Sequence, residues 1–508
     1  MNRLLRIGAR RSPLARQQAL LVGAALRAVD PNLRIAYQFI ETRGDRSPDP
    51  DAARVTARGG FTEDLALLLE CGAIDLAVHS WKDLPLAERA TTTVAATLPR
   101  ADPRDALLIR RAALAHIATR GLRVLSSAAR RRIHLEEFLA WALPVPPVAV
   151  EFAPVRGDIE TRLTRLLSGE GDALVIAKAA IDRLLADPPA AGAGDASTYV
   201  ALERARACVA RTLAACRVLI LPLSVCPAAP AQGALAIETR RRDAGDPRLV
   251  AINCAATFAT VTAERQLAAR IGEQEPLGVT RLRFDFGDVE FVRGASTEFA
   301  QPQIALYRRG AGLPRPLHAD LIFSPNPDQP ARLREELPDA PRHFAREQGL
   351  LVARAEALPP GTTVDEDTVI WTAGLATWRK LAARGYWVVG SDDSLGDPGA
   401  AGVRAWFPAA TDWVKLTHTK GHPQPHARCI ATYRSVPRLD SVAIHRYSHF
   451  YWHSGSQLRE QLRVYPGLAQ AWHGCGPGNT YAIARGLLDE RHVKPFLSAT
   501  QFYGELLR

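Results

Sequence analysis

The segment AVHSWKDLP sets a lysine and a carboxylate side by side, Lys82 and Asp83, where a strand-like run meets a proline-marked turn. An adjacent Lys–Asp pair is ordinarily a solvated surface pair. At the carboxyl edge of a parallel sheet, where ligands enter the crevice, the same carboxylate can stabilise positive charge on a substrate and act as an acid. Arginines recur at similar edges: IGARRSPLARQQ puts Arg10 and Ser12 at a strand-to-helix turn, LSSAARRRIHL carries Arg130 and Arg131, and PVRGDIETRL carries Arg156 and Arg162. Guanidinium pairs as a planar fork with carboxylate or phosphate, so several around one crevice suit a small polyanion. Taken singly, Ser12 reads as an N-cap before Pro13 and the arginines as exposed helix-start residues.

Such positions need a scaffold of alternating strands and helices. Residues 4–9 and 34–41 read as strands around the helical pattern of 12–29, and IDLAVHS follows the helical FTEDLALLLECG. A second unit runs from about Asp105 to Pro188, where PPAAGAGDAS forms a loop. After the strand RVLILPLS, CPAAPAQGALAIETR opens a third unit that ends near RRGAGLPRPLHAD. Beyond it the alternation resumes through IWTAGLATWRKL, YWVVGSDDS, HFYWHSGSQLREQL and HGCGPGNTYAIARGLL, a separate module over 320–508. The expected fold class is α/β with largely parallel sheets.

The 508 residues exceed one hydrophobic core. Apolar residues at 47% and charged residues at 23% give an ordinary globular balance. The formal charge of +11 is carried by arginine, with lysine only at Lys82, Lys178, Lys380, Lys415, Lys420 and Lys494. No basic run interleaved with aromatics points to nucleic acid, and no apolar stretch reaches the ~18–20 residues of a membrane span. The N-terminus lacks a signal-like apolar region, so a cytoplasmic protein is expected. Seven scattered cysteines without a CxxC pair argue against a disulfide framework or a metal site.

Together the segments resemble the porphobilinogen deaminase (hydroxymethylbilane synthase) family. IGARRSPLARQQ is similar to its IGTRxSPLALWQ, ETRGD to TxGD, ARGGFTEDL to GKGLFxKEL and DLAVHSWKDLP to DIAVHSMKDVP. LPRADPRDALL resembles PPREDPRDAL, SSAARRRIHL resembles TSSLRRxAQL, PVRGDIETRL resembles LRGNVxTRL, and PAQGALAIETR, with Gln232, resembles PGQGALGIExR. TAERQLAARIGEQEPLG looks like AERxFLxxLxGGCxxPIG. The resemblance implies two domains like periplasmic binding proteins, 1–102 with 200–222 and 103–199, and a small α+β domain over 223–312. It implies condensation of porphobilinogen into a linear tetrapyrrole, with Asp83 and Lys82 catalytic. Arg10, Ser12, Arg130, Arg131, Arg156, Arg162, Arg183 and Gln232 would bind the substrate. It also implies a dipyrromethane cofactor, small pyrrole partners and a monomer.

The family holds that cofactor by a thioether from the cysteine of GGCxxPIG. Counted back from Pro276, Leu277 and Gly278, that position is Glu273, and no cysteine lies in the segment. Glu63, Ala128, Asp158 and Ala231 depart from FxKEL, TSSLRR, RGN and GQG, and the two acids are expected to repel a polycarboxylate in or near the cleft. Three readings stay open: an enzyme that holds its primer non-covalently or through Glu273, one that condenses fewer or different pyrroles, and a non-catalytic binder of pyrroles or porphyrinogens. Residues 320–508 resemble uroporphyrinogen-III synthase, a flavodoxin-like two-lobed fold. IWTAGLATWRKL, ATYRSVP, HSGSQLREQL and HGCGPGNTYAIARGL match its loose motifs, which implies a site with Tyr433, Ser454, Ser456 and Thr480.

Overall fold

The computed structural model describes residues 4–42, 62–189, 195–272, 275–323, 332–396, 399–421, 427–437 and 444–507. The chain divides into two compact units. The first takes in Met1–Ala140, Pro146–Arg283 and Glu290–Ile304, and the second takes in the chain from Ala305 onward with Trp141–Val145 and Phe284–Val289.

The first unit contains two five-stranded mixed sheets built on one plan. One has the order Ile35–Ile40, Leu5–Arg10, Leu76–Ser80, Leu235–Arg240, Thr92–Ala96; the first three are parallel, and Leu235–Arg240 runs antiparallel to both its neighbours. The other has the order Val150–Ala153, Leu122–Leu125, Ala173–Ala177, Asp105–Arg110, Cys216–Ile220, and there Asp105–Arg110, the fourth strand, runs antiparallel to both its neighbours. The chain therefore crosses between the sheets twice, through 97–104 and 221–234. This corrects the boundaries drawn from sequence. The stretch 200–222 does not go with the first sheet, because the buried strand DALLIR needs a second neighbour and Cys216–Ile220 supplies it. Leu235–Arg240, expected in a third domain, instead completes the first sheet, whose core includes Ile7, Val78, Leu235 and Ile237.

Local chemistry explains the elements that reach the crevice. Ser12 caps the helix Pro13–Val29 by accepting from Ala15 N at 3.4 Å, and Pro13 opens it, where its missing N–H costs nothing. Ala15, Ala19, Val22 and Leu26 form the face buried against the sheet. Both crossovers are clamped from the helix Ala255–Ile271, where the buried Glu264 carboxylate takes both Arg100 Nη groups (2.5 and 3.0 Å), Ala231 N (2.7 Å) and Arg281 N (2.6 Å). Strands Gly278–Phe284, Gly287–Arg293 and Gln303–Arg308 form a small three-stranded sheet.

The second unit holds a six-stranded sheet ordered Arg332–Glu336, Arg428–Pro437, Asp412–His418, Gln348–Val352, Val369–Thr372, Gly390–Ser391, parallel except for Arg332–Glu336. It also holds a parallel four-stranded sheet of Ile322–Phe323, His449–Trp452, Trp472–Cys475 and Val493–Pro495. The unit begins before the expected residue 320. Arg308, within it, reaches Pro495 O (2.7 Å), pairs with both oxygens of Glu505 (2.7 Å each) and lies over the Phe496 ring. Among the described residues no helix is long and apolar enough to cross a membrane.

Candidate active site

The carboxyl ends of the parallel strands in the first unit open on a cleft of about 1200 Å³. Strand Leu76–Ser80 ends in the single turn Trp81–Asp83. Trp81 is buried against Phe258, with ring centroids 5.2 Å apart, and its backbone N–H donates to Ala234 O at 3.0 Å. That anchor turns Lys82 and Asp83 outward, and both line the cleft. Asp83 is exposed there, while Lys82 is half-buried with its Nζ donating to Gln232 Oε1 at 3.0 Å. Burial pushes the Lys82 ammonium down to about 8; Arg131 and Arg130 add to the fall and Asp83 and Asp105 oppose it.

Arg10 and Ser12 enter from the first strand end, and Arg131, Arg156, Arg162 and Arg183 from the second sheet's side. Arg162 Nε donates to Gly157 O at 2.9 Å; Gly157 has φ +101°, and a Cβ there would meet Thr161 Cγ2 at 2.7 Å. Arg183 Nη2 donates to Gly233 O at 2.6 Å. Burial lowers the pKa of Arg162, and pushes that of Arg183 down to about 10. Both keep their charge at neutral pH in a partly dry setting, where attraction for a carboxylate is less screened.

Not every expected binder faces the cleft. Arg130 is not among the lining residues. It lies buried, donating through Nη1 to Pro227 O (2.6 Å) and through Nη2 to Asp105 Oδ2 (2.7 Å). Arg131 forks onto Asp105 as well, from Nη2 to Oδ1 at 2.7 Å and from Nε to Oδ2 at 3.2 Å, and its Nη1 reaches Val175 O. Gln232 does line the cleft but is 1% exposed, and its Nε2 donates to Asp105 Oδ1 (2.9 Å) and Pro103 O (2.7 Å). Burial alone would raise the pKa of Asp105, but Arg131 and Arg130 hold it far below the carboxylate range. Asp105 went unnoticed in the sequence, although the DPRDALL motif contained it.

The departures resolve unequally. Glu63 is exposed in the first turn of the helix Glu63–Glu70 and does not line the cleft, contrary to the expectation of an acid there. Asp158 does line it, but as the N-cap of the helix Ile159–Leu167, accepting from Thr161 N at 2.9 Å. Ala231 sits at φ +67°, a left-handed conformation that suits the glycine of the family motif. Glu273 lies outside the described residues.

In the second unit, Ser454 precedes the helix Gly455–Val464, and its Oγ lies 2.8 Å from that of Ser456. Tyr433 is buried on strand Arg428–Pro437, and burial raises its hydroxyl pKa. Thr480 is half-buried in the first turn of Asn479–Arg485. The serines are thus paired with each other, and Tyr433 is tied to Arg334 instead. Burial raises the pKa of Tyr433 and lowers that of His453, and Arg354, two residues past the strand Gln348–Val352, opposes the first shift and adds to the second; the sequence reading passed over it.

Comparison with known proteins bears on the first unit. Residues 5–246 match the family model described as porphobilinogen deaminase, dipyromethane cofactor binding domain. The porphobilinogen deaminase of Mycobacterium tuberculosis is 38% identical over 281 residues, covering 54% of this chain and 77% of that protein. That of Nocardia farcinica is 36% identical over 277 residues, covering 54% and 69%. Among solved structures, the BenM effector binding domain with its effector benzoate aligns at 14% identity and a TM-score of 0.26, over 52% of this chain and 94% of that one.

Proposed function

Because the chain belongs to the porphobilinogen deaminase family, we propose that its first unit condenses porphobilinogen head to tail with release of ammonia, as a hydroxymethylbilane synthase-like transferase of porphyrin biosynthesis. The observation that carries this reading is a single cleft in which the exposed carboxylate of Asp83 stands among Lys82, Arg10, Arg131, Arg156, Arg162 and Arg183. Each added pyrrole brings two carboxylates, and fixed cations are what a growing polyanion requires. As ammonia leaves the aminomethyl group, positive charge spreads onto the pyrrole nitrogen. Asp83 stabilises that charge, and the arginines orient the acetate and propionate arms.

The cationic wall fits the carboxylates of a dipyrromethane, the cofactor named for the matching family domain. When bound, that group supplies the nucleophilic pyrrole carbon from which the chain extends. The covalent half of the fit fails, because Gly272–Gly278 contains no cysteine and a Glu273 ester would be more labile than a thioether. The primer is therefore held mainly by ion pairs to Arg10, Arg156 and Arg162. The missing thiol also favours a second reading, in which the cleft binds pyrroles or porphyrinogens without turnover, or joins a different number of them.

The second unit is read as a uroporphyrinogen-III synthase-like module. What supports it is Arg354 acting on both Tyr433 and His453, the latter just past the strand His449–Trp452 and beside Ser454. A cyclase tethered to its supplier meets an unstable intermediate at high effective concentration.

The test is incubation with porphobilinogen, following its consumption, ammonia release and the uroporphyrin isomers, with Asp83→Ala as control. Consumption that disappears in the variant supports the transferase, and type III product supports the second module. If the wild type consumes nothing even when primed with hydroxymethylbilane, the transferase reading fails and the binding reading replaces it. The mass of the denatured protein reports any adduct at Glu273.

A further inference from the structure

We propose that Asp105 is a positioning residue: a buried carboxylate that acts through Gln232 to fix the location and the protonation of the Lys82 ammonium in the cleft. Asp105 opens the buried strand Asp105–Arg110 and is itself wholly buried, and its two oxygens receive four donors: Arg130 Nη2, Arg131 Nη2 and Nε, and Gln232 Nε2. The orientation of the Gln232 amide follows from its neighbours. Pro103 O and Asp105 Oδ1 can only accept, so the NH₂ end must face them, and the oxygen is left for Lys82 Nζ at 3.0 Å. A side chain that would otherwise swing on a four-carbon stem is thereby held beside Asp83.

The same groups bear on the lysine's charge. Burial is the largest influence and disfavours the ammonium; Asp83 and Asp105 favour it, and Arg131 and Arg130 disfavour it. The outcome, about 8, leaves the group mostly protonated at neutral pH and able to give up a proton just above it. Asp105 and Arg131 act on Lys82 with opposite signs. What sets Asp105 apart from a salt bridge that only joins strands is the hydrogen-bonded link through Gln232 to the ammonium.

The experiment is competitive labelling of the full-length protein with acetic anhydride across pH, reading Lys82 by peptide mass spectrometry among the six lysines of the chain. Wild-type Lys82 is expected to titrate near 8. Asp105→Asn removes a supporting charge and leaves both arginines, so the midpoint falls by about one unit or more. Gln232→Met removes the acceptor and lowers it by less, whereas Arg131→Met raises it. An unchanged midpoint in Gln232→Met, or shifts of the same sign in Asp105→Asn and Arg131→Met, overturns the proposal. If Asp105→Asn does not fold, the other two variants decide. The catalytic consequence rests on the transferase reading, but the labelling is done without porphobilinogen, so the two can fail separately. With turnover, the alkaline limb of porphobilinogen consumption moves in step with the Lys82 midpoint in each variant.

Discussion

Beneath the cleft, Arg130 and the lining Arg131 close on the buried Asp105, and Arg130 spends its hydrogen bonds inside the protein. On its wall, Asp83 stands exposed on a turn whose buried Trp81 does the anchoring. The same residue types, a few ångströms of depth apart, serve rigidity in one place and chemistry in the other. The contrast makes its strongest claim on Asp83. Asp83→Ala is expected to cut porphobilinogen turnover on the order of 10³-fold. Its unfolding free energy should stay within about 0.5 kcal/mol of wild type, as for an exposed side chain.

Asp105→Ala should do the reverse in stability. It strands two buried guanidinium groups, and breaking such a pair costs about 3–5 kcal/mol, read as a lower urea midpoint. Acid sharpens the point. The folded pKa of Asp105 lies below its unfolded value, so its contribution is fully present above about pH 4 and drains away as pH falls. Lys82 has the opposite logic: its folded value of about 8 lies below the unfolded 10.5, the unfolded chain binds more protons between them, and stability rises with pH across that interval. An Asp83→Ala protein as unstable as Asp105→Ala would erase the distinction between floor and wall.

A smaller effect is expected where the second crossover meets the floor. Gly233 has φ +89°, and a Cβ on it would lie 2.3 Å from Ala101 O, a backbone atom that cannot swing away. Gly233→Ala should therefore destabilise the protein by about 1–3 kcal/mol. Because Arg183 donates to Gly233 O, the variant should also weaken porphobilinogen binding, a rise in KM that a change confined to the strand core would not produce.

Much of this was readable in the sequence, for local reasons. The strands Leu5–Arg10 and Leu76–Ser80 and the helix Pro13–Val29 lie within a residue or two of where periodicity puts them, and Arg10, Lys82, Asp83 and Arg162 sit at strand ends or helix starts that turn signals mark. Depth was not readable. Arg130 and Arg131 are neighbours on one helix and point about 100° apart. Both reach Asp105, on a different strand, and Arg130 alone also reaches Pro227 O in the second crossover, a partner almost a hundred residues away. Strand membership was equally hidden: the assignment of Cys216–Ile220 depends on a partner more than a hundred residues away. In the second unit the motifs are loose, and Arg354 matters through charges brought together from distant strands.

The smallest effect lies two residues from Gly233. Ala231 is fully buried against Trp81 and Leu84 at φ +67°, a conformation that costs an L-residue roughly 1–2 kcal/mol. Its N–H donates to Glu264 at 2.7 Å, the bond that keeps the turn in place despite the strain. Ala231→Gly relieves the strain but gives the unfolded chain more freedom, about 0.4–1 kcal/mol, and forfeits a buried methyl. The terms nearly offset, so the urea midpoint should rise only slightly, by less than about 1 kcal/mol in free energy. Gly233→Ala and Ala231→Gly thus exchange the same two residue types in one turn with opposite expected signs. A loss in Ala231→Gly as large as that in Gly233→Ala would mean that packing against Trp81, rather than backbone conformation, holds the loop beneath Lys82 and Asp83.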